Sequence, residues 1–224
     1  MLNDKRIRVI IGHYGSGKTE FAVNYAIKLA EEGKKVALAD LDVINPYFRS
    51  REKQELLESL GITVIASSLK GSLGSDLPAV ASGVLGPLQD ESWEVILDVG
   101  GDSVGARALG RYKSYLQEGL YDMFCILNAH RPGTQDLAGS IEHIEAIETV
   151  ARAKVTGLVN NTHLMRDTAV EDVLIGQKLM KEVSNKLNIP IKYVSTLEKV
   201  AQQLPKDMEG EIFPIKMYMR EDWM

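Results

Sequence analysis

Eight consecutive residues near the N-terminus, Gly12-His13-Tyr14-Gly15-Ser16-Gly17-Lys18-Thr19, have the types and spacing of a phosphate cradle. The glycines let the backbone turn tightly and aim N–H groups at phosphate oxygens. Lys18 is placed to reach the β and γ phosphates, and the Thr19 hydroxyl is a Mg²⁺ ligand. A helix opening near Gly17 adds its positive dipole end. The bare pattern Gly-x-x-x-x-Gly-Lys-Thr also arises by chance. Here the apolar run from Ile7 to Ile11 precedes it and an amphipathic pattern follows, the context that phosphate binding requires. The expectation is a nucleoside-triphosphate site formed by these eight residues and the adjoining Glu20.

Carboxylates supply the second set of groups. Asp98 ends the run Trp93-Glu94-Val95-Ile96-Leu97, where a parallel sheet holds its ligands, and reads as a holder of the Mg²⁺ shell. Asp98-Val99-Gly100-Gly101 has the Asp-x-x-Gly spacing, which offers the Gly101 N–H as a γ-phosphate sensor. Asp40-Leu41-Asp42 follows a second strand; such a pair helps hold metal and orients an attacking water. The plainer readings are a strand-end cap at Asp98 and a polar turn leading to Asn45-Pro46.

Short β-rich runs alternate with longer helical patterns. Strands are expected at Ile7–Ile11, Lys35–Ala39, Ile62–Ala66, Trp93–Val99, Tyr121–Asn128, Lys154–Asn160 and Ile191–Val194. Helices are expected from Lys18 to Glu32, Glu52 to Leu60, Asp76 to about Gln89, through Tyr112 and Leu116, from Thr134 to about Ala153, and from Thr168 to about Leu187. A short helix follows the last strand. This alternation implies an α/β fold: a doubly wound, mostly parallel sheet with helices on both faces. No repeat, low-complexity tract or linker divides residues 1–224, so one nucleotide-binding domain is expected. The tail from Phe213 to Met224 mixes Met, Tyr, Trp and charges, and reads as docking on the body or on a partner.

Composition sets bounds on this reading. Net charge is −5, which gives no electrostatic ground for strong nucleic-acid binding. The clusters Lys5, Arg6, Arg8 and Arg49, Arg51, Lys53 read as solvated faces. The single cysteine, Cys125, lies in an apolar run and reads as a buried, inert thiol. A reducing, cytoplasmic setting is the expectation, with no signal peptide and no membrane segment.

The phosphate cradle, Asp40-x-Asp42 and the strand-terminal Asp98 together resemble the SIMIBI class of P-loop NTPases. Within it the chain is most similar to the CobQ/CobB/MinD/ParA-type nucleotide-binding proteins, from Ile7 to about Val200. The resemblance implies that Asp42 orients the hydrolytic water and that Asp40 supports the Mg²⁺ shell held by Thr19 and Asp98. It implies that Lys18 is catalytic and that Asn160 contacts the base. Two departures stand out. His13 occupies the position of the family's second P-loop lysine, which reaches across a nucleotide-sandwich dimer; Arg49, Arg107, Arg111 or Arg131 is a candidate replacement in trans. The metal-handling members' Cys pair is absent. The segment matching a guanine-reading Asn-Lys-x-Asp is Asn160-Asn161-Thr162-His163, where His163 replaces the carboxylate that guanine needs; ATP is thus favoured over GTP.

The expected function is a slow Mg-ATPase that switches a partner protein or a homodimer. The alternatives are an ATP-dependent ligase that activates a small carboxylate, and a nucleotide sensor that does not hydrolyse. His130-Arg131-Pro132-Gly133 follows a strand end on the ligand side and reads as a loop that can touch nucleotide or partner.

Overall fold

A computed structural model describes residues 3–42, 53–65, 76–101 and 103–219, except for the side chains of 76–82, 103 and 104. The turn at Asn45-Pro46, and Arg49 and Arg51, lie outside the described residues. The chain runs β1 (Ile7–Gly12), α1 (Lys18–Glu31), β2 (Lys35–Asp40), α2 (Gln54–Ser59), β3 (Ile62–Ile65), α3 (Asp76–Gln89), β4 (Trp93–Asp98), α4 (Ser103–Ala106) and β5 (Tyr121–Leu127). It continues through α5 (Leu137–Ala151), β6 (Gly157–Asn160), α6 (Val170–Leu187), β7 (Ile191–Leu197), α7 (Glu198–Ala201) and β8 (Glu211–Ile215). Short 3₁₀ turns span Arg107–Tyr112 and Met165–Asp167.

The strands form one sheet in the order β3-β2-β4-β1-β5-β6-β7-β8, and every neighbouring pair is parallel. Alternation along each strand divides the core in two. Ile7, Val9 and Ile11 of β1, with Met123, Cys125 and Leu127 of β5, pack under α3, α5 and α6. Ile10, Phe124 and Ile126 face the other way, under α1. A sheet covered by helices on both faces is the architecture that the alternating pattern implies. Cys125 is fully buried, and burial pushes its thiol up to about 12, so it is inert at neutral pH.

Four sequence expectations shift. An eighth strand, β8, takes in the start of the segment expected as a tail from Phe213; its edge position tolerates Pro214, which has no N–H to give. The helix expected at Thr134 opens at Leu137, where the Asp136 side chain accepts from Gly139 N, and the Thr134 hydroxyl instead donates to Asn128 O. Residues 154–156 only approach the sheet, and β6 begins at Gly157. Arg8 does not lie on a solvated face. It is 1% exposed, pairs with Glu94 at 2.6 Å and donates to the Tyr25 hydroxyl. Arg6 donates to the last carbonyls of α3, Pro87 and Leu88.

Candidate functional site

The loop between β1 and α1 lies at the carboxyl end of the central strand, with β4 on one side and β5 on the other. Strand order changes direction about β1, and open α/β sheets bind their ligands at such a point. Gly17 ends the loop with φ +86° and caps α1. A side chain there would be strained, and it would also collide with the Asn161 amide. That amide donates to Ser16 O at 2.7 Å and so fixes the loop from β6. Lys18 is buried, and its Nζ lies 3.4 Å from His13 O.

The expected carboxylates converge beside it. Asp40 and Asp98 are register partners at the ends of adjacent strands, and both are buried. The Asp42 N–H donates to Asp40 at 3.1 Å, and Asp42 lines the phosphate cavity. Burial pushes the Asp98 carboxyl up to about 7; Asp40 and Asp42 push the same way, while Lys18 and a hydrogen bond with Thr19 oppose them. Gly101 packs on the cradle, where an added Cβ would come within 2.9 Å of Lys18 Nζ, Gly12 O and Tyr14 N. Only a glycine allows that approach.

These groups fit Mg²⁺. One Asp98 carboxylate oxygen is buried without a hydrogen-bond partner, and the Thr19 hydroxyl lies against that same carboxylate. Among the described residues, no three His, Cys, Asp or Glu side chains gather into a site for a metal ion. Mg²⁺ is usually held by one or two carboxylates together with phosphate and water, so this donor set suits it. Thr19 would ligate the ion, Asp98 and Asp40 would hold its shell, and the ion would neutralise charge on the β and γ phosphates.

A cavity of about 250 Å³ opens from this cradle. Tyr14, Gly15, Lys18, Thr19, Asp42 and Arg131 line one end. Asn161, His163, Met165, Thr196, Leu197, Met217 and Met219 line the rest, where Leu197 and the three methionines supply apolar surface of the kind a base requires. Asn160 is not among the lining residues. It is fully buried, with its amide donated to Val173 O and Gln177 and its oxygen accepting from Thr162 N. The structure places its neighbour Asn161 in the cavity instead. Asn161 Oδ1 and the Thr196 hydroxyl are both buried with no hydrogen-bond partner. Glu20 lies at the cavity, where its carboxylate accepts from the backbone of Tyr218 (2.6 Å) and Met219 (3.1 Å). The tail therefore docks on the body and forms one wall of the cavity.

The His13 ring does not extend away from the loop. It packs edge-on against His143 of α5, with centroids 5.5 Å apart. Burial, aided by His13 and Lys18, brings His143 down to about 4, which leaves it neutral at pH 7. Arg107 and Arg111 are exposed and do not line the cavity. Sequence reasoning missed Thr196, His143, Met217 and Met219. A strand-end position was the available signal for Thr196; the other three are brought in by tertiary packing alone.

The chain matches the CobQ/CobB/MinD/ParA nucleotide binding domain over residues 7–203. It belongs to that family. Solved structures share the family's fold at low identity. FtsY of Thermotoga maritima is 21% identical with TM-score 0.59, covering 87% of this chain and 62% of its own. The signal recognition particle receptor FtsY of Elizabethkingia anophelis, in complex with GDP, is 21% identical with TM-score 0.56, covering 84% and 56%. A nucleotide-binding protein of Archaeoglobus fulgidus, in complex with ADP, is 18% identical with TM-score 0.51, covering 89% and 84%. The chain thus spans about three fifths of the length of these FtsY proteins. No curated protein matches it. The family placement establishes a nucleotide-binding P-loop domain of the SIMIBI class. Because similar structures carry GDP in one case and ADP in another, the base has to be read from this chain's own cavity.

Proposed function

We propose that this protein binds Mg-ATP in preference to Mg-GTP and hydrolyses it slowly, using the two nucleotide states to switch a partner protein. The observation that carries the choice of base is the Asn161 side chain. Its Nδ2 is committed to Ser16 O, and its Oδ1 is a buried acceptor without a hydrogen-bond partner on a residue that lines the cavity. An acceptor there suits the amino group of adenine. The paired N–H groups of guanine need a carboxylate, and neither acidic residue in the lining serves: Asp42 stands at the phosphate end, and Glu20 holds the tail backbone. The buried Thr196 hydroxyl is available as the second hydrogen-bonding group. Leaving such groups unpaired costs about 1–3 kcal/mol each, which is enough to separate the bases.

Hydrolysis requires a water in line with the γ-phosphate. Asp42, at the phosphate end of the cavity, is the group placed to orient it, while Lys18 and Mg²⁺ take up the developing charge. The bonds made and broken are those of water attacking phosphorus and releasing ADP and phosphate. The reading of a partner protein rests on Tyr14, which is 60% exposed on the cradle itself. An aromatic ring at the mouth of a nucleotide site is positioned to report the bound state to a second surface.

Calorimetric titration with ATP and GTP, with and without Mg²⁺, tests the base and the ion. Single-turnover assays of the wild type and Asp42→Ala test hydrolysis. Tighter binding of GTP would overturn the adenine assignment. Unchanged turnover in Asp42→Ala would remove Asp42 from the water.

A further inference from the structure

The loop after β5 carries a cation into the phosphate end of the cavity from the same chain. Arg131 is half-buried, lines that end beside Lys18, Thr19 and Asp42, and donates its Nε to Gly15 O at 2.9 Å. That bond fixes the plane of the guanidinium against the cradle. A Cβ added to Gly15 would touch the guanidinium carbon at 3.1 Å. With Nε engaged, the terminal nitrogens are the donors left for a phosphate oxygen.

The loop is held rigidly enough to use such a group. Asn128 is fully buried; its Oδ1 accepts from His130 N and its carbonyl accepts from Arg131 N and the Thr134 hydroxyl. The Thr134 N–H closes the turn on Arg131 O at 3.1 Å. The His130 ring meets Asp172 at 2.7 Å, and Asp172 also accepts from Ala169 N at the start of α6. Arg131 therefore stands on a turn braced to the end of β5 and to α6. A charge that needs no rearrangement as the reaction proceeds is the kind that lowers a barrier.

We infer that Arg131 is a catalytic residue acting in cis: its guanidinium binds the β or γ phosphate of the nucleotide on its own chain and neutralises charge in the transition state. Hydrolysis then needs no group from a second copy. His13 turns its ring toward His143 of its own α5. This inference rests on the hydrolysis reading above.

The test uses the full chain with Arg131→Ala and Arg131→Lys, in single-turnover hydrolysis and in ATP titration. Arg131→Ala should lower kcat by about 10²–10³-fold, with a smaller change in KM. Arg131→Lys keeps the charge and guards against a misfolded alanine variant; it should recover binding but little of kcat, because a lysine cannot present the planar fork. Wild-type turnover per mole should not depend on protein concentration. Mixing Arg131→Ala with Asp42→Asn should restore nothing. Recovery on mixing would place the arginine in trans and overturn the inference, as would undiminished turnover in both Arg131 variants. If the wild type binds ATP but forms no ADP, the hydrolysis reading fails by itself, and Arg131 is judged by affinity alone. ATP binding weakened by about tenfold or more in Arg131→Ala would keep the phosphate contact, and equal affinity would refute it.

Discussion

Asp98 and Asp4 are buried carboxylates at opposite ends of one sheet, and their surroundings treat them in opposite ways. Asp98 ends β4 at the nucleotide side, where one oxygen has no partner and the charges of Asp40 and Asp42 repel its ionised form. Asp4 precedes β1 at the far side, with its side chain 3% exposed. It accepts from the Tyr25 hydroxyl at 2.7 Å and from the Tyr193 hydroxyl, and pairs with Lys192 at 2.9 Å. Burial alone would raise both. At Asp98 it does, to about 7. At Asp4 the hydrogen bonds from Tyr193, Tyr25 and Lys192 outweigh burial and hold the carboxyl below its ordinary value of 3.8. Arg8, Glu94 and Tyr25 extend the same satisfied network across β1 and β4. One end of the sheet is electrostatically complete and stabilises the fold. The other is left incomplete in the way that a bound cation and phosphates would complete.

The largest effect that would sharpen this contrast is at Arg8. Arg8→Ala removes one partner of a buried network and should cost about 3–5 kcal/mol of unfolding free energy, read by urea denaturation. ATP affinity of the folded protein should stay the same, because the cavity is at the other end. A large loss of affinity would show that the two ends are coupled.

Asp98→Asn should do the reverse. A carboxyl raised from 3.8 to about 7 disfavours its ionised form by roughly 4 kcal/mol, and an amide relieves part of that cost. The ligand-free variant should be more stable than wild type by on the order of 2 kcal/mol at pH 8. The gain should shrink as pH falls from about 7 and vanish below 3.8, where the wild-type carboxyl is protonated in both folded and unfolded chains. Mg²⁺-dependent ATP binding should be lost at the same time. A destabilised variant would mean that the carboxylate is already satisfied within the protein.

Asp4→Asn gives the opposite pH signature with a smaller effect. Its carboxylate contributes stability above the unfolded value of 3.8, and that stability disappears as pH falls through its lower folded value. The variant should be weaker by about 1–3 kcal/mol at pH 7 and equal to wild type in strong acid. Thermal melts of both Asp variants across pH place the two slopes side by side.

How far each end could be read from the sequence follows the same division. The cradle from Gly12 to Thr19, and the strand-end Asp40, Asp42 and Asp98, were legible because phosphate chemistry demands particular residue types at fixed spacing. The parallel sheet was legible because each strand and helix keeps its own period. Arg8 was misread as solvated, since local charge density says nothing about Glu94, which lies 86 residues away. Asn160 and Asn161 were indistinguishable by composition. Only the approach of α6, which takes up the first, and of Gly17, which seats the second, decides between them. The tail wall was hidden because its contacts span nearly the whole chain.

That wall joins the two regions, and the smallest predicted effect tests it. Asn24, in the middle of α1, pairs twice with Lys216: its Oδ1 accepts from Lys216 N and its Nδ2 donates to Lys216 O, both at 2.8 Å. Two residues on, Tyr218 and Met219 are held by Glu20, and Met217 and Met219 face the cavity. Asn24→Ala removes both clasps and should cost about 1 kcal/mol overall. The loss is local, so amide exchange of residues 211–219 should accelerate while β1 and β5 stay protected. With the methionines loosened, ATP affinity should fall about threefold, in keeping with a modest apolar contact. Faster exchange with unchanged affinity would make the tail a structural edge strand alone. A matching loss of both would make it part of the nucleotide site, its order tied to occupancy through Glu20 and the adjacent Thr19.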